Sequence, residues 1–169
     1  MSATEVIGLD HVYLAVSDFA VSERFYDRLM ESLGFKKGDM RVAGEPHAHY
    51  FNRVLQISIR PAKRTVAHDP CAPGLHHICL RLADAAAIDE AARAIGALGV
   101  TVTAPKTYPE YAADYYAAFF EDPDGIRFEL VANRKLRVDV VEKWDRLEGF
   151  LNPLQRLREK EGLEKAGRD

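Results

Sequence analysis

The chain has 169 residues, 47% of them hydrophobic and 29% charged, with 23 Lys and Arg against 26 Asp and Glu for a net charge of -3. That balance leaves no surplus of cations for a phosphate backbone, which argues against nucleic acid. The longest uncharged stretch, Ala94 to Pro105, falls far short of the ~20 residues that a bilayer crossing needs, so no membrane partner is expected. Cys71 and Cys79 form no C-x-x-C pair and no disulfide framework, and Met1 to Asp10 lacks a basic start followed by an apolar run. A cytoplasmic location is the expectation. A chain of this size holds its fold without a structural metal, so a bound metal would be functional.

Along the chain the same pattern occurs twice. Leu9-Asp10-His11-Val12-Tyr13-Leu14-Ala15-Val16-Ser17-Asp18 returns as Leu75-His76-His77-Ile78-Cys79-Leu80-Arg81-Leu82-Ala83-Asp84. Val12, Leu14 and Val16, and again Ile78, Leu80 and Leu82, alternate onto one strand face, leaving His11 and His77 on the other. Asp18 and Asp84 stand where helix N-caps belong. The apolar stripes Phe25, Leu29, Leu33 and Ile88, Ala92, Ile95, Leu98 predict a helix after each, ending at Gly34 and Gly99. Alternating strands follow around Tyr50 to Ile59 in the first half, and around Tyr115 to Phe120 and Ile126 to Val131 in the second. Asp122-Pro123-Asp124-Gly125 turns the last two into a hairpin.

The expected class is α+β: two βαβββ modules, residues 7–61 and 75–132, forming a cup-shaped mixed sheet. A linker occupies 62–74 and a helical tail 133–169. In the tail, Val141, Trp144, Leu147 and Leu151 keep helical spacing, and Asn152-Pro153 starts another helix. Trp144 reads as a packing anchor against the helices or a second subunit.

If the modules lie side by side about a pseudo-twofold axis, His11 and His77 share one cavity. Gln56, between Leu55 and Ile57, and Glu129, between Phe128 and Leu130, alternate onto the same side. Two imidazoles, a carboxylate and an amide oxygen suit a divalent first-row metal, Zn, Ni, Co, Mn or Fe. His76, next to His77, is sent to the helix side by alternation. A lone strand histidine usually fills a structural role; what points to a metal is the recurrence at equivalent positions.

The strands LDHVYLAV and GLHHICLRL and the ending FFEDPDGIRFELV resemble the vicinal oxygen chelate superfamily of glyoxalases, bleomycin and fosfomycin resistance proteins and extradiol dioxygenases. The resemblance spans about residues 7 to 132. It implies a metal held by residues matching His11, Gln56, His77 and Glu129, and a small substrate with adjacent oxygens. It also implies a homodimer. The expected activity is metal-assisted proton transfer by a lyase or isomerase. The alternatives are Fe(II)-dependent extradiol-type ring cleavage and non-catalytic sequestration of a ligand or antibiotic. Ala15 and Arg60 stand where bacterial glyoxalase I forms place an Arg and an Asn that hold glutathione, and Phe119 where dioxygenases place a Tyr.

Supporting positions complete the reading. Beside Glu129, Glu110 in a Pro-containing loop could serve as a base or lid group, and His49, with His47 and Glu45, could relay a proton. Tyr13, Tyr115 and Phe119 would give the cup an aromatic wall. Arg60 and Arg81 could pair with a substrate carboxylate at the rim or with surface acids.

Overall fold

The computed structural model describes the backbone of residues 4–166 and the side chains of residues 4–161. The first module runs β1 (His11–Val16), α1 (Phe19–Ser32), β2 (Lys36–Val42), β3 (Glu45–Phe51) and β4 (Gln56–Pro61). The second runs β5 (Ile78–Leu82), α2 (Ala85–Ala97), β6 (Lys106–Thr107), β7 (Tyr116–Glu121) and β8 (Arg127–Ala132). Their sheets have the orders β1-β4-β3-β2 and β5-β8-β7-β6. In each, the first strand lies parallel to the last and the other pairings are antiparallel. This is the βαβββ repeat expected from the duplicated sequence, built as two four-stranded sheets with β1 and β5 each at an edge.

Local chemistry sets the helix boundaries. Asp18 Oδ1 accepts the Val21 amide at 3.0 Å, and Asp84 Oδ1 accepts that of Ala87 at 2.9 Å, satisfying amides that a helix start leaves open. Past the helix ends, Gly34 and Gly99 take φ of +78° and +84°, a left-handed conformation that costs glycine little.

Strand alternation sends Leu14, Val16, Ile57 and Ile59 into one buried cluster with Leu29, Met30, Ile88, Ile95, Phe128 and Leu130. Each such side chain, fully buried, contributes about 1.5–3 kcal/mol. The cluster is shared by both modules. Tyr26 of α1 stacks on Tyr50 of its own module, meets Phe128 of the other edge-on, and donates to Asp122 at 2.6 Å. The Ser17 amide donates to the Asp124 carboxylate at 3.0 Å. The helix-side faces therefore join the halves.

Two segments differ from the sequence expectation. Lys36–Val42 has no apolar alternation, yet pairs along its whole length with β3; the partner strand, not its own pattern, makes it a strand. Consequently Glu45, His47 and His49 lie inside a strand rather than before one. In the tail, α3 (Lys135–Lys143) gives way to a 3-10 turn, Trp144–Arg146, and the chain breaks before α4 (Pro153–Ala166). Trp144 is 54% exposed, so among the described residues it is not a buried packing anchor. Among the described side chains of α4, Leu157 is the buried one.

Candidate metal half-sites

On the first sheet, the face turned away from the helices carries His11 and Tyr13 of β1, His47 and His49 of β3, and Gln56 and Ser58 of β4. His11 is the register partner of Gln56, and His49 that of Ser58. Asp10 accepts from His11 Nδ1 at 2.7 Å, so that in the neutral ring the lone pair lies on Nε2; a carboxylate behind an imidazole in this way fixes ring and tautomer. The Gln56 amide nitrogen lies 2.9 Å from His49 Nδ1 and 2.8 Å from Ser58 Oγ. Its oxygen is thereby the free end. The Tyr13 ring contacts His11, His47 and His49 edge-on.

His49 has a definite protonation pattern. Burial, followed by the nearby His47, holds its pKa below the ordinary histidine value, so the ring is neutral at pH 7. An amide N–H can only donate, so Nδ1 accepts and the proton sits on Nε2, which is buried without a partner. In this arrangement the His49 ring can only donate from Nε2, and it accepts no proton while Gln56 holds Nδ1.

The second sheet presents Glu129 of β8, flanked in register by Cys79 and Phe119. Its side chain is 4% exposed. Tyr115 donates to Oε1 at 2.6 Å, and His77 Nε2 lies 3.2 Å from Oε2. Burial, then the hydrogen bond to Glu129, raises the Tyr115 pKa far above the ordinary phenol value, so it stays a donor. The Cys79 thiol, though the residue keeps an exposed edge, is pushed up to about 12 by burial and by Glu129, and stays protonated at neutral pH. Among the described residues no Lys or Arg pairs with this buried carboxylate, which a phenol and an imidazole hold instead, an arrangement that favours a bound cation.

His76 departs from expectation. It precedes β5, is exposed, and its Nδ1 lies 2.6 Å from His77 Nδ1. One of the two must donate. When His77 donates, its Nε2 is free to coordinate; when His76 donates, His77 Nε2–H points at Glu129. His76 thus sets the tautomer of its neighbour, a role that strand alternation alone would not reveal.

The four expected donors do not converge within one chain. Among the described residues no three His, Cys, Asp or Glu side chains come close enough to hold a metal ion. The reason is that the modules meet through their helix-side faces, leaving His11 with Gln56 on one sheet and His77 with Glu129 on the other.

The supporting residues divide in the same way. Tyr115 and Phe119 face Glu129's side with Tyr108 in a small apolar cluster, while Tyr13 belongs to the first sheet. Glu110 is exposed in the turn closed by the Tyr111 amide on the Tyr108 carbonyl. Arg60 is paired with Glu45, so both are occupied at the rim. Arg81 lines a shallow recess with Arg137 and Glu142. Residues that sequence reasoning did not single out are Asp10, Ser58 and Arg134. For the first two a signal existed: Asp10 adjoins His11, and Ser58 shares a strand face with Gln56. Arg134, at the β8–α3 junction, gave none.

Comparisons with known proteins agree with the fold. The model of the Glyoxalase/Bleomycin resistance protein/Dioxygenase superfamily matches residues 8–130. The uncharacterized protein YqjT of Bacillus subtilis is 30% identical over 126 residues, 73% of this chain and 98% of that protein. Among solved structures, a glyoxylase/bleomycin resistance protein/dioxygenase domain from Frankia sp. EAN1pec superposes with a TM-score of 0.62 at 24% identity, covering 79% of this chain and all of that one. The fosfomycin resistance protein FosX of Listeria monocytogenes superposes at 0.58 with 20% identity, covering 79% and 98%. A variant of FosX has been solved with Mn(II) and 1S,2S-dihydroxypropylphosphonic acid.

Proposed function

As the chain belongs to the Glyoxalase/Bleomycin resistance protein/Dioxygenase superfamily, we propose that it is a divalent-metal-dependent, glyoxalase-like enzyme that moves a proton on a small substrate with adjacent oxygens. One observation carries this reading. Each of the four candidate donors has one atom tied by a neighbour and a second donor atom beside it: His11 Nε2 behind Asp10, Gln56 Oε1 behind His49 and Ser58, and, facing each other at 3.2 Å, His77 Nε2 behind His76 and Glu129 Oε2 behind Tyr115. Side chains with purely structural roles have no reason to share that arrangement. Two neutral imidazoles, an amide oxygen and a carboxylate fit Zn, Ni, Co, Mn or Fe in the divalent state.

The set closes between two copies. A twofold dimer would bring His11 and Gln56 of each chain to His77 and Glu129 of the other, giving two equivalent sites. A divalent cation held there would polarise a substrate carbonyl and lower the cost of removing the adjacent proton. The chain's own groups supply the rest: the neutral His49 donates from Nε2 to a substrate oxygen, and Glu110 is the loop carboxylate available to take a proton. Tyr13, Tyr115 and Phe119 exclude water from the reacting centre.

Metal analysis and titration of the purified full chain test the reading first. One divalent ion per chain is expected, and its loss in His77→Ala and Glu129→Ala; unchanged metal content in both variants refutes it. Exchange of deuterium at the α-carbon of ketone, thioester or hemithioacetal substrates tests the chemistry. The two imidazoles and one carboxylate also fit Fe(II) ring cleavage; oxygen uptake with Fe(II) and catechols, without α-exchange, would establish that chemistry instead.

A further inference from the structure

We propose that Arg134 anchors the acid group of the substrate, so that the site takes a small organic acid whose next carbon carries an oxygen. The inference rests on the metal-site reading for the placement of that second oxygen, and on independent observations for the acid group.

Arg134 is held firmly but is not paired. Its guanidinium lies over the Tyr115 ring, with Cζ 4.7 Å from the centroid. The backbone beside it is pinned where the Lys135 amide donates to the Asp114 carboxylate at 2.7 Å. Among the described residues Arg134 has no carboxylate partner, as is true of exposed cations such as Arg81 and Arg137, but it is the arginine with a guanidinium nitrogen buried without an acceptor. Its Nε is shut off from solvent with no acceptor. A buried N–H of a permanent cation without a partner is costly, and an oxyanion approaching the Nε edge would satisfy it together with a terminal N–H, the two-pronged contact that guanidinium makes with carboxylates and phosphates.

Position gives the contact a purpose. Tyr115 carries Arg134 on its face and the Glu129 carboxylate on its hydroxyl. Arg134 and Cys79 also line a cavity of about 830 Å³ that reaches Leu9, Val54 and Leu55 of the first module. An acid bound at Arg134 therefore lies one tyrosine ring from the Glu129 carboxylate, and the apolar walls of the cavity are open to the remainder. Both sources of the oxyanion, carboxylate and phosphonate, share this chemistry.

Calorimetry on the metal-loaded full chain tests it, with lactate, hydroxymethylphosphonate and the uncharged lactamide as probes. At least one acid should bind about tenfold or more tighter than lactamide, as expected for a charge-assisted pair, and the better of the two identifies the source. Arg134→Gln should erase the preference while leaving metal affinity unchanged, and Arg134→Lys should retain part of it. Equal binding of acid and amide to the wild type, no binding of either acid, or an intact preference in Arg134→Gln overturns the proposal. Metal titration run in parallel separates the two readings. A chain that binds no metal yet prefers acids through Arg134 keeps this inference and loses the metal site; a chain that binds metal without the preference does the reverse.

Discussion

At the scale of single residues, the balance between donors and the groups behind them decides what each substitution does. In the proposed reading His77→Ala removes a coordinating nitrogen and should abolish tight metal binding, as should Glu129→Ala. His76→Ala removes only the group that sets the His77 tautomer and should weaken metal binding by about 10- to 100-fold, the range for groups behind a ligand. Titration with Zn or Co checks the ranking, and equal losses at His76 and His77 would contradict it. Tyr26→Phe tests the joint between modules. Asp122 would lose the phenol at 2.6 Å but keep the Asp124 and Ile126 amides, so a cost of about 1–3 kcal/mol is expected in urea unfolding. Burial holds the Asp122 pKa above the usual carboxylate value, so the variant's loss at neutral pH should shrink as Asp122 is protonated.

Among the elements, the tail depends on one carboxylate. Asp139 of α3 is buried at 4% exposure and receives Arg158 of α4 at 2.9 Å, with Lys143 at 3.4 Å and Lys135 at 3.7 Å. Arg158, together with the lysines, holds its pKa below the ordinary value of 3.8. A depressed carboxylate stabilises the folded state above its unfolded pKa, and that contribution disappears as pH falls through the lower folded value. Acidification below pH 3.8 should therefore release α4 from α3, and Asp139→Asn should release it at neutral pH. Hydrogen exchange at α4 amides is the readout; unchanged protection in Asp139→Asn would remove Asp139 as the clasp. The strand β2 teaches a complementary point: its polar sequence forms a strand because β3 offers a full row of backbone partners, a case of tertiary context overriding local pattern.

For the whole molecule, the separation of the half-sites makes a dimer functionally necessary in the proposed reading. His11→Ala and Glu129→Ala should each bind no metal tightly. Mixed and re-equilibrated, they should recover about a quarter of the wild-type sites, since half the dimers are mixed and each of those has one undamaged site. No recovery, together with a monomer in sedimentation, would place the complete site elsewhere.

Much of the fold was legible in the chain because duplication and alternation are local properties. The repeat around His11 and His77, the N-caps Asp18 and Asp84, and the glycines after each helix are each decided by short-range backbone and side-chain chemistry. The same alternation put Gln56 and Glu129 on the faces opposite the core, where they are found. The sequence could not determine which faces the modules would turn to one another. That depends on long-range contacts such as Tyr26 with Phe128 and Ser17 with Asp124, between residues whose partners lie about a hundred positions away. Those contacts bury the helix sides together and part the donor pairs. The groups behind the donors, and the unpaired guanidinium of Arg134, likewise became visible only once distant strands had been set side by side.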